Sequence, residues 1–165
     1  MPLITIREAR PEDLHVIVDF NARLAWETED KRLDPDVLAK GVASALADPD
    51  RLRYWLAQAV DGEGDSQASR VVGQAAVTRE WSDWRNGWIW WFQSVYVHLD
   101  FRGAGIFRAL HAEIRSIARA TPDVIGLRLY VEIHNDRAQR VYQSLGMKPG
   151  GYDVYEDLWL SLIHI

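Results

Sequence analysis

The chain contains no cysteine, and this absence excludes several kinds of chemistry. Disulfide bonds, thiolate nucleophiles and cysteine zinc sites are all ruled out. The five histidines show no metal-ligand spacing such as His-x-x-x-His, so no metal site is predicted. A basic surplus is also lacking, since 19 Lys and Arg stand against 24 Asp and Glu and give a net charge of −5. A nucleic-acid partner is therefore disfavoured, because phosphate binding needs positive charge.

No stretch of the sequence is apolar for long enough to cross a membrane. The longest uncharged run, Asn86–Leu99, is shorter than the ~20 residues of a spanning helix. The N-terminus has no basic region followed by an apolar core, so no secretory signal is expected. The 165 residues, 48% of them hydrophobic, suffice for one core but not for two ordinary domains. We therefore predict one domain over residues 1–165 and a cytoplasmic location.

The spacing of apolar residues predicts strands and helices in the order β-α-α-β-β-β-α-β-α-β. The predicted strands are Leu3–Arg7, Arg53–Val60, Arg70–Arg79, Trp88–Val97, Leu127–Ile133 and Tyr152–Leu160. The predicted helices begin near Pro11, after Asp34, at a glycine turn that follows Arg102, and after Asn135. This order is typical of one mixed α/β domain in which an antiparallel meander leads into a strand–helix–strand unit.

A glycine-rich turn, Arg102–Arg108, connects the long apolar strand to the next helix. A helix N-terminus leaves its first amides unbonded and carries partial positive charge, so it suits an anion. Gly103 and Gly105 would let a phosphate approach the backbone closely. The turn is not a Walker A loop, because no Gly-Lys-Ser/Thr follows, and it lacks the third glycine of a Rossmann fingerprint. Taken alone, it is equally consistent with a simple tight connection.

A second polar turn follows the next predicted strand. Asn135-Asp136 begins the last predicted helix, and Tyr142 lies further along it. Neighbouring strands that enter helices at the same edge of a sheet form the ligand sites of α/β proteins. From spacing alone, Tyr142 is either a core residue beside Val141 and Leu145 or an acid in such a site.

Together the two turns resemble the acetyl-CoA signature of the GCN5-related N-acetyltransferases, the GNAT superfamily. The first half of that signature has the core Gln/Arg-x-x-Gly-x-Gly/Ala, and residues 102–106, RGAGI, are similar to it. Phe107 departs from the pattern, since it replaces the final Gly/Ala. The segment Leu129–Met147 looks like the second half. The resemblance covers essentially the whole chain and implies a single-domain GNAT-like α/β fold, with a mixed sheet splayed between its fourth and fifth strands.

The resemblance also implies acetyl-CoA as the acyl-donor cosubstrate. Pantetheine would pair with the backbone near Val95 and Val97, and Asn135 would bind the cofactor arm. The pyrophosphate would lie on the turn, where the predicted contacts are Arg102, Gly103, Ala104, Gly105, Phe107 and Arg108. Tyr142 would protonate the departing thiolate, because the pKa of a phenol, near 10, exceeds that of a CoA thiol.

The acceptor side has no comparable signature. We expect a cationic amine to contact Glu27 and Glu29, at the end of the first helix. It would also contact Trp81 and Trp84, in the loop over residues 80–87 that joins the third and fourth predicted strands. These contacts would act through charge and cation–π attraction. An equally open alternative is that these carboxylates are ordinary solvated surface groups and that the tryptophans pack beneath them without contacting a substrate. The long strand carries no carboxylate, so no general base is assigned among the candidates Glu27, Glu29, Glu80, Asp83 and Glu132.

The sequence thus predicts an acetyl-CoA-dependent N-acetyltransferase that acts on a primary amine of a small molecule, peptide or protein. Two alternatives stay open. One is transfer of a different acyl group, and the other is a non-catalytic acyl-CoA-binding or regulatory module of the same fold. Relatives are often homodimers, so a homodimer is a further expectation, whereas no membrane or nucleic-acid partner is expected.

Overall fold

The computed structural model describes residues 2–61 and 68–159. Its five-stranded sheet has the order β1-β2-β3-β4-β5, antiparallel except for the parallel pair β4–β5. The strands are β1 Leu3–Glu8, β2 Arg53–Asp61, β3 Ala68–Ser82, β4 Gly87–Val97 and β5 Val124–Leu129. The helices are α1 Leu14–Glu29, α2 Pro35–Ala47, α3 Ile106–Ala120 and α4 Asp136–Ser144. The predicted mixed α/β class is confirmed.

Local sequence explains where the helices begin. Asp34 caps α2, since its Oδ1 accepts hydrogen bonds from the amides of Asp36 and Val37 at 2.8 and 3.0 Å. Asn135 caps α4 in the same way, with its Oδ1 3.0 Å from the amide of Ala138. By contrast α3 begins after Gly105, which has no side chain to cap it. The first amides of α3 are therefore left for another acceptor.

Helices pack against both faces of the sheet. On one face, here called the α3 face, the main buried residues are Trp55, Trp90, Phe92, Ile106, Leu110 and Ile114. On the opposite α1 face, which α1 and α2 partly cover, they are Ile17, Val42, Tyr54, Leu56 and Ala76. Among the described residues, no helix is long and apolar enough to span a membrane.

A bulge in β4 makes its side chains change faces. Ser94 has a φ of 49°, and the register with β3 shifts there, so that Ser94 and Val95 together stand opposite one residue of β3. Trp90 before the bulge and Val95 after it both pack on the α3 face, whereas Tyr96 lies 4.9 Å from Phe20 of α1. A single extra residue thus reverses the alternation for the last part of the strand.

The sheet opens after this point. β4 pairs with β5 over Trp88–Phe92, and the rest of β4 pairs with β3 alone. Beyond Leu129 the chain leaves the sheet, so no strand among the described residues pairs with the backbone edge of Gln93–Val97 that faces β5. The splay expected between the fourth and fifth strands is therefore confirmed.

Two predicted strands need correction. The fifth, predicted at Leu127–Ile133, forms at Val124–Leu129, because the turn after α3 delivers the chain directly beside Trp88 and the bulge in β4 ends the pairing. The sixth, predicted at Tyr152–Leu160, does not form over residues 152–159, and Leu160 lies outside the described residues. Residues 152–159 are all exposed, so their alternation has no face to bury.

Candidate active site

The turn between β4 and α3 exposes a row of backbone amides. The amides of Arg102 and Ala104 donate to the carbonyls of Leu99 and Phe101, both at 3.3 Å. The first backbone hydrogen bond of α3 runs from Ala109 to the carbonyl of Gly105 at 3.0 Å. Within the described part of the chain, the amides of Gly103 and of residues 105–108 have no backbone acceptor. Of the residues predicted to bind an anion, only those with these amides can offer a free backbone donor.

Two glycines shape this turn. Gly103 and Gly105 have φ values of 83° and 78°, a conformation that side chains disfavour. A Cβ at either position would meet no atom within 4 Å, so the backbone angle and not crowding requires glycine. The open space around both residues is what a bulky anion would need.

The Arg102 side chain bonds to groups on β4 and α1 and does not lie over the amides of the turn. Its Nε donates to the carbonyl of Val97 at 3.0 Å, and its guanidinium forms an ion pair with Glu27 at the end of α1. Glu27 also accepts a hydrogen bond from the Tyr96 hydroxyl at 2.9 Å. The guanidinium of Arg102, which was predicted to bind phosphate, is thus ion-paired with Glu27. This ion pair connects the end of α1 to the turn.

Glu27 is held in its ionised form. Burial alone would raise the pKa of its carboxyl, but the hydrogen bonds from Arg102 and Tyr96 outweigh burial and lower the pKa. A carboxylate of low pKa with two donors already bound is a poor proton acceptor. Glu27 therefore suits a positioning role better than the role of a base.

Phe107 fills the cleft between α3, β4 and α4. Its ring centre lies 6.2 Å from that of Phe92 and 5.6 Å from that of Tyr142, with edge-to-face geometry in both cases. The side chain that replaces the family's small residue thus packs inside the cleft and leaves the amide row open. Arg108 reaches across to α4, where it donates to the Ser144 hydroxyl at 3.3 Å.

Tyr142 lies in this cleft with an available hydroxyl. Burial raises the pKa of Tyr142 above that of an ordinary phenol, so the group stays protonated at neutral pH. Across residues 2–61 and 68–159, the hydroxyl has no hydrogen-bond partner. Asn135 uses its Oδ1 to cap α4, which leaves its amide nitrogen as the group that can donate to a ligand.

A buried polar network holds the bulge. Gln74 of β3 is fully buried, and its Nε2 donates to the carbonyl of Ser94 at 3.0 Å and to Oδ1 of Asn21 at 2.7 Å. Asn21 in turn donates to the Tyr54 hydroxyl at 3.2 Å. The Oε1 atom of Gln74 is buried without a partner among the described residues. Three elements, α1, β2 and β3, thus contribute polar side chains to the network beneath Ser94, whose backbone is strained.

Sequence reasoning missed this network and Tyr96. One signal was present for Gln74, since it is the sole strongly polar residue within the apolar run VVGQAAV at residues 71–77. No local signal marks Ser94 as a bulge, because neither glycine nor proline is near it. Strict alternation would have placed Tyr96 on the α3 face with Trp90.

The residues predicted for the acceptor side are not brought together. Glu29, which pairs with Lys31, lines the same open groove as Tyr142. Trp81 packs edge-on against Trp88, with ring centres 5.0 Å apart, and Trp84 is 86% exposed at the hairpin between β3 and β4. That hairpin precedes β4, whereas the glycine turn before α3 follows it, and the strand between them is ~30 Å long.

Known proteins resemble this chain in sequence and in fold. The chain matches the family model of the acetyltransferase (GNAT) family over residues 17–147. The crystal structure of a possible acetyltransferase from Clostridium difficile 630 is 43% identical, with 96% of this chain and 99% of that chain covered and a TM-score of 0.84. Among curated protein sequences, none matches this chain significantly.

Two more distant structures share the fold. A predicted acetyltransferase from Clostridium acetobutylicum, solved with acetyl-CoA, is 18% identical, covers 94% of this chain and 96% of its own, and has a TM-score of 0.73. The ribosomal-protein-alanine N-acetyltransferase from Brucella melitensis biovar Abortus 2308 is 18% identical, with 95% and 99% covered and a TM-score of 0.70. The family model and the 43% identical relative together show that the chain belongs to the acetyltransferase (GNAT) family and is an enzyme of the N-acetyltransferase class.

Proposed function

We propose that this protein transfers the acetyl group of acetyl-CoA to a primary amine of a small molecule, peptide or protein. The observation that carries the proposal is one cleft that combines three features. They are the unbonded amides before α3, the free backbone edge of Gln93–Val97, and the protonated, unpartnered hydroxyl of Tyr142. An acyl-CoA has matching parts: a pyrophosphate, an amide-containing arm and a thioester sulfur.

The donor would be held mainly by the backbone. The amides of Gly103, Gly105, Phe107 and Arg108 are available to the pyrophosphate, and Ala104 completes the turn. Val95 and Val97 lie on the part of β4 that is not paired with β5, where peptide groups can bond the pantetheine arm. Arg102 would act indirectly, by fixing the turn to Glu27, and the amide nitrogen of Asn135 would donate to the arm.

Acetyl transfer forms a bond between the amine nitrogen and the acetyl carbon and breaks the carbon–sulfur bond. The amine must be neutral when it attacks, and the departing thiolate must receive a proton. Tyr142 would donate this proton as negative charge develops on the sulfur, since its raised pKa keeps the phenol protonated at neutral pH, and solvent would then return a proton to Tyr142. The proton lost by the amine passes to solvent water in the groove.

No carboxylate that the sequence offered as a base is without a partner. Glu27 pairs with Arg102, Glu29 with Lys31, and Glu80 with Arg128. Asp83 and Glu132 accept hydrogen bonds from backbone amides within their own turns. We therefore assign no side chain as the general base. Glu27 and Glu29 would contribute to substrate binding only through their negative charge near the groove, which attracts a cationic amine.

Calorimetric titration with acetyl-CoA tests the proposal directly. The wild-type protein should bind acetyl-CoA in the micromolar range, and Gly105→Glu should weaken binding by about 100-fold or more, because it strains the turn and repels phosphate. Gly41→Glu is the matched control, since Gly41 lies on the exposed surface of α2, where an added Cβ would meet no atom within 4 Å. It adds the same charge and should leave binding unchanged.

The same titration with free CoA and a longer acyl-CoA separates the alternatives. Tighter binding of the longer acyl-CoA would favour transfer of a different acyl group. If none of the three ligands binds, the proposal fails. We also propose that the protein is a cytoplasmic homodimer, and sedimentation equilibrium of the purified protein tests the association.

A further inference from the structure

An aromatic pair, a half-buried tryptophan and an exposed tyrosine, lies on the α1 face where β4 pairs with the end of β5. The ring centre of Trp91, on β4, is 4.4 Å from that of Tyr130, which follows β5, and the two rings are tilted by 34°. Tyr130 is 61% exposed. We call these two residues the aromatic platform. Neither residue contributes to the two buried cores, so packing alone does not account for them.

An ion pair fixes the platform in one orientation. Trp91 Nε1 donates to Oε2 of Glu80 at 3.2 Å, and Arg128 donates to Oε1 of the same carboxylate at 3.1 Å. An ordinary surface tryptophan would rotate freely, whereas this ring is held by its hydrogen bond. A surface that is ordered before its ligand arrives loses little side-chain entropy on binding.

The platform shares a groove with the proposed acid. Trp91 and Tyr130 line the same open groove as Tyr142 and as Thr28 and Glu29 from the end of α1. Trp91 precedes the bulge at Ser94 by three residues, which is about 10 Å along a strand. An acceptor that reaches the bulge from this side would therefore extend over the platform.

We propose that the aromatic platform is the acceptor subsite and that the acceptor is a primary amine with an aromatic ring about 10 Å from its reacting nitrogen. This inference rests on the proposed function. A ring of the acceptor would stack on the exposed ring of Tyr130, as aromatic pairs commonly do. The guanidinium of Arg128 lies 5.7 Å from the Trp91 ring centre and is ion-paired with Glu80, so the platform offers aromatic surface without an uncompensated charge beside it.

Acetyl transfer to matched amines tests this inference. The probes are ω-phenylalkylamines with two, four and six methylene groups, each compared with an n-alkylamine of the same number of carbons. The wild-type enzyme should show a KM about three- to tenfold lower for the longer phenylalkylamines, as expected for one stacking contact. Trp91→Leu and Tyr130→Leu should remove that preference, and Tyr130→Phe, which keeps the ring, should retain it.

Trp84→Leu separates this subsite from the one predicted by sequence. Trp84 lies at the hairpin that precedes β4, so its loss should leave the preference intact. The inference is overturned if wild-type KM values are equal for the two series, or if Trp84→Leu removes the preference and Trp91→Leu does not. Saturation-transfer NMR of the same amines, with CoA present, reports their binding without turnover. Failure of acetyl-CoA to bind in calorimetry would instead count against the proposed function.

Discussion

Gly87–Phe92 and Gln93–Val97 belong to one strand, β4, but differ in pairing, burial and backbone geometry. The first segment is paired on both sides and buries Trp90 and Phe92. The second is paired with β3 alone and contains Ser94 in a left-handed conformation. We call them the paired half and the split half.

The comparison shows how one strand serves both stability and binding. A strand paired on both sides has no backbone group left for a ligand, whereas an unpaired edge offers its amides and carbonyls. The bulge that creates this edge costs about 1–3 kcal/mol, as strained residues at functional sites do. The hydrogen bonds from Gln74 and its neighbours offset that cost. Substitutions in the two halves should therefore have separable effects.

The largest effect should come from the paired half. Trp90→Ala removes a side chain that is 6% exposed and lies 6.2 Å, centre to centre, from Trp55. It should lower the free energy of unfolding by about 3–5 kcal/mol, the usual cost of deleting a buried aromatic ring. Urea denaturation measures the change. Trp84→Ala, at an exposed tryptophan, is the control and should stay within about 0.5 kcal/mol of the wild type.

In the cleft beside the split half, Tyr142→Phe should affect rate and not binding. Loss of the proton donor should lower kcat about 100-fold, the lower end of general acid contributions. Acetyl-CoA affinity by calorimetry should be unchanged, because the ring and its contact with Phe107 remain. An unchanged kcat would show that Tyr142 only packs against Phe107, and the thiolate would then be protonated by water.

Much of this division could be predicted from the sequence. The long apolar run predicts β4, the glycines predict the turn, and Asn135 predicts the start of α4, because each of these signals is local. The bulge could not be predicted, since Ser94 carries no glycine or proline signal and the strain is imposed by Gln74, twenty residues away. The C-terminal end of β5 depends on the same bulge, whereas its start at Val124 is set by the turn after α3.

Contacts between distant parts of the chain explain the remaining differences at the site. Glu27 and Arg102 are 75 residues apart, and nothing near either one predicts their ion pair. Trp81 and Trp84 were expected at the acceptor side because their loop is polar and aromatic. The structure places them before β4 and Trp91 on the groove. The position of these tryptophans relative to the two ends of β4 was not visible in the pattern.

The ion pairs Asp13–Arg7 and Asp19–Arg23 allow a prediction of how the stability of the fold depends on pH. Asp13, in the short 3-10 turn before α1, accepts hydrogen bonds from Arg7 of the edge strand β1 at 2.7 and 2.8 Å and from the amide of Arg10 at 2.7 Å. The hydrogen bond from Arg7 is the main cause that lowers the pKa of Asp13. A lowered folded-state pKa contributes stability that is complete above the unfolded value, near 4, and is lost as the pH falls through the folded value.

Asp13→Asn should therefore lower the free energy of unfolding by about 1–3 kcal/mol at pH 7 and by less at pH 3, where the carboxyl in the unfolded wild-type chain is already largely protonated. Thermal unfolding at the two pH values measures the difference. Asp19→Asn is the control, because Asp19 pairs with Arg23 on the exposed surface of α1, where such pairs contribute little. Equal losses at both pH values would contradict the assignment.

Gln74→Leu tests whether the network serves the split half. It removes the donor to Ser94, so the bulge should relax toward a regular strand and the peptide groups beside the cleft should turn. We expect kcat to fall about tenfold with a smaller change in the KM for acetyl-CoA, as when one hydrogen bond made in the transition state is lost. Gln58→Leu on β2 is the matched control, and it removes a bond to Arg7 at 2.9 Å instead. A loss of stability without a loss of kcat would make the network purely structural.

The smallest expected effect concerns the acyl group. Phe107 lies between Phe92 and Tyr142, so Phe107→Ala should open space beside the proposed proton donor. The kcat/KM for a butyryl donor relative to an acetyl donor should rise about three- to tenfold, since a methylene or two in an apolar pocket changes specificity modestly. Phe101→Ala, earlier in the same turn and packed against His98, should leave the ratio unchanged. If both variants behave alike, the limit on acyl length lies elsewhere in the split half, and Phe107 serves only to pack α3 against α4.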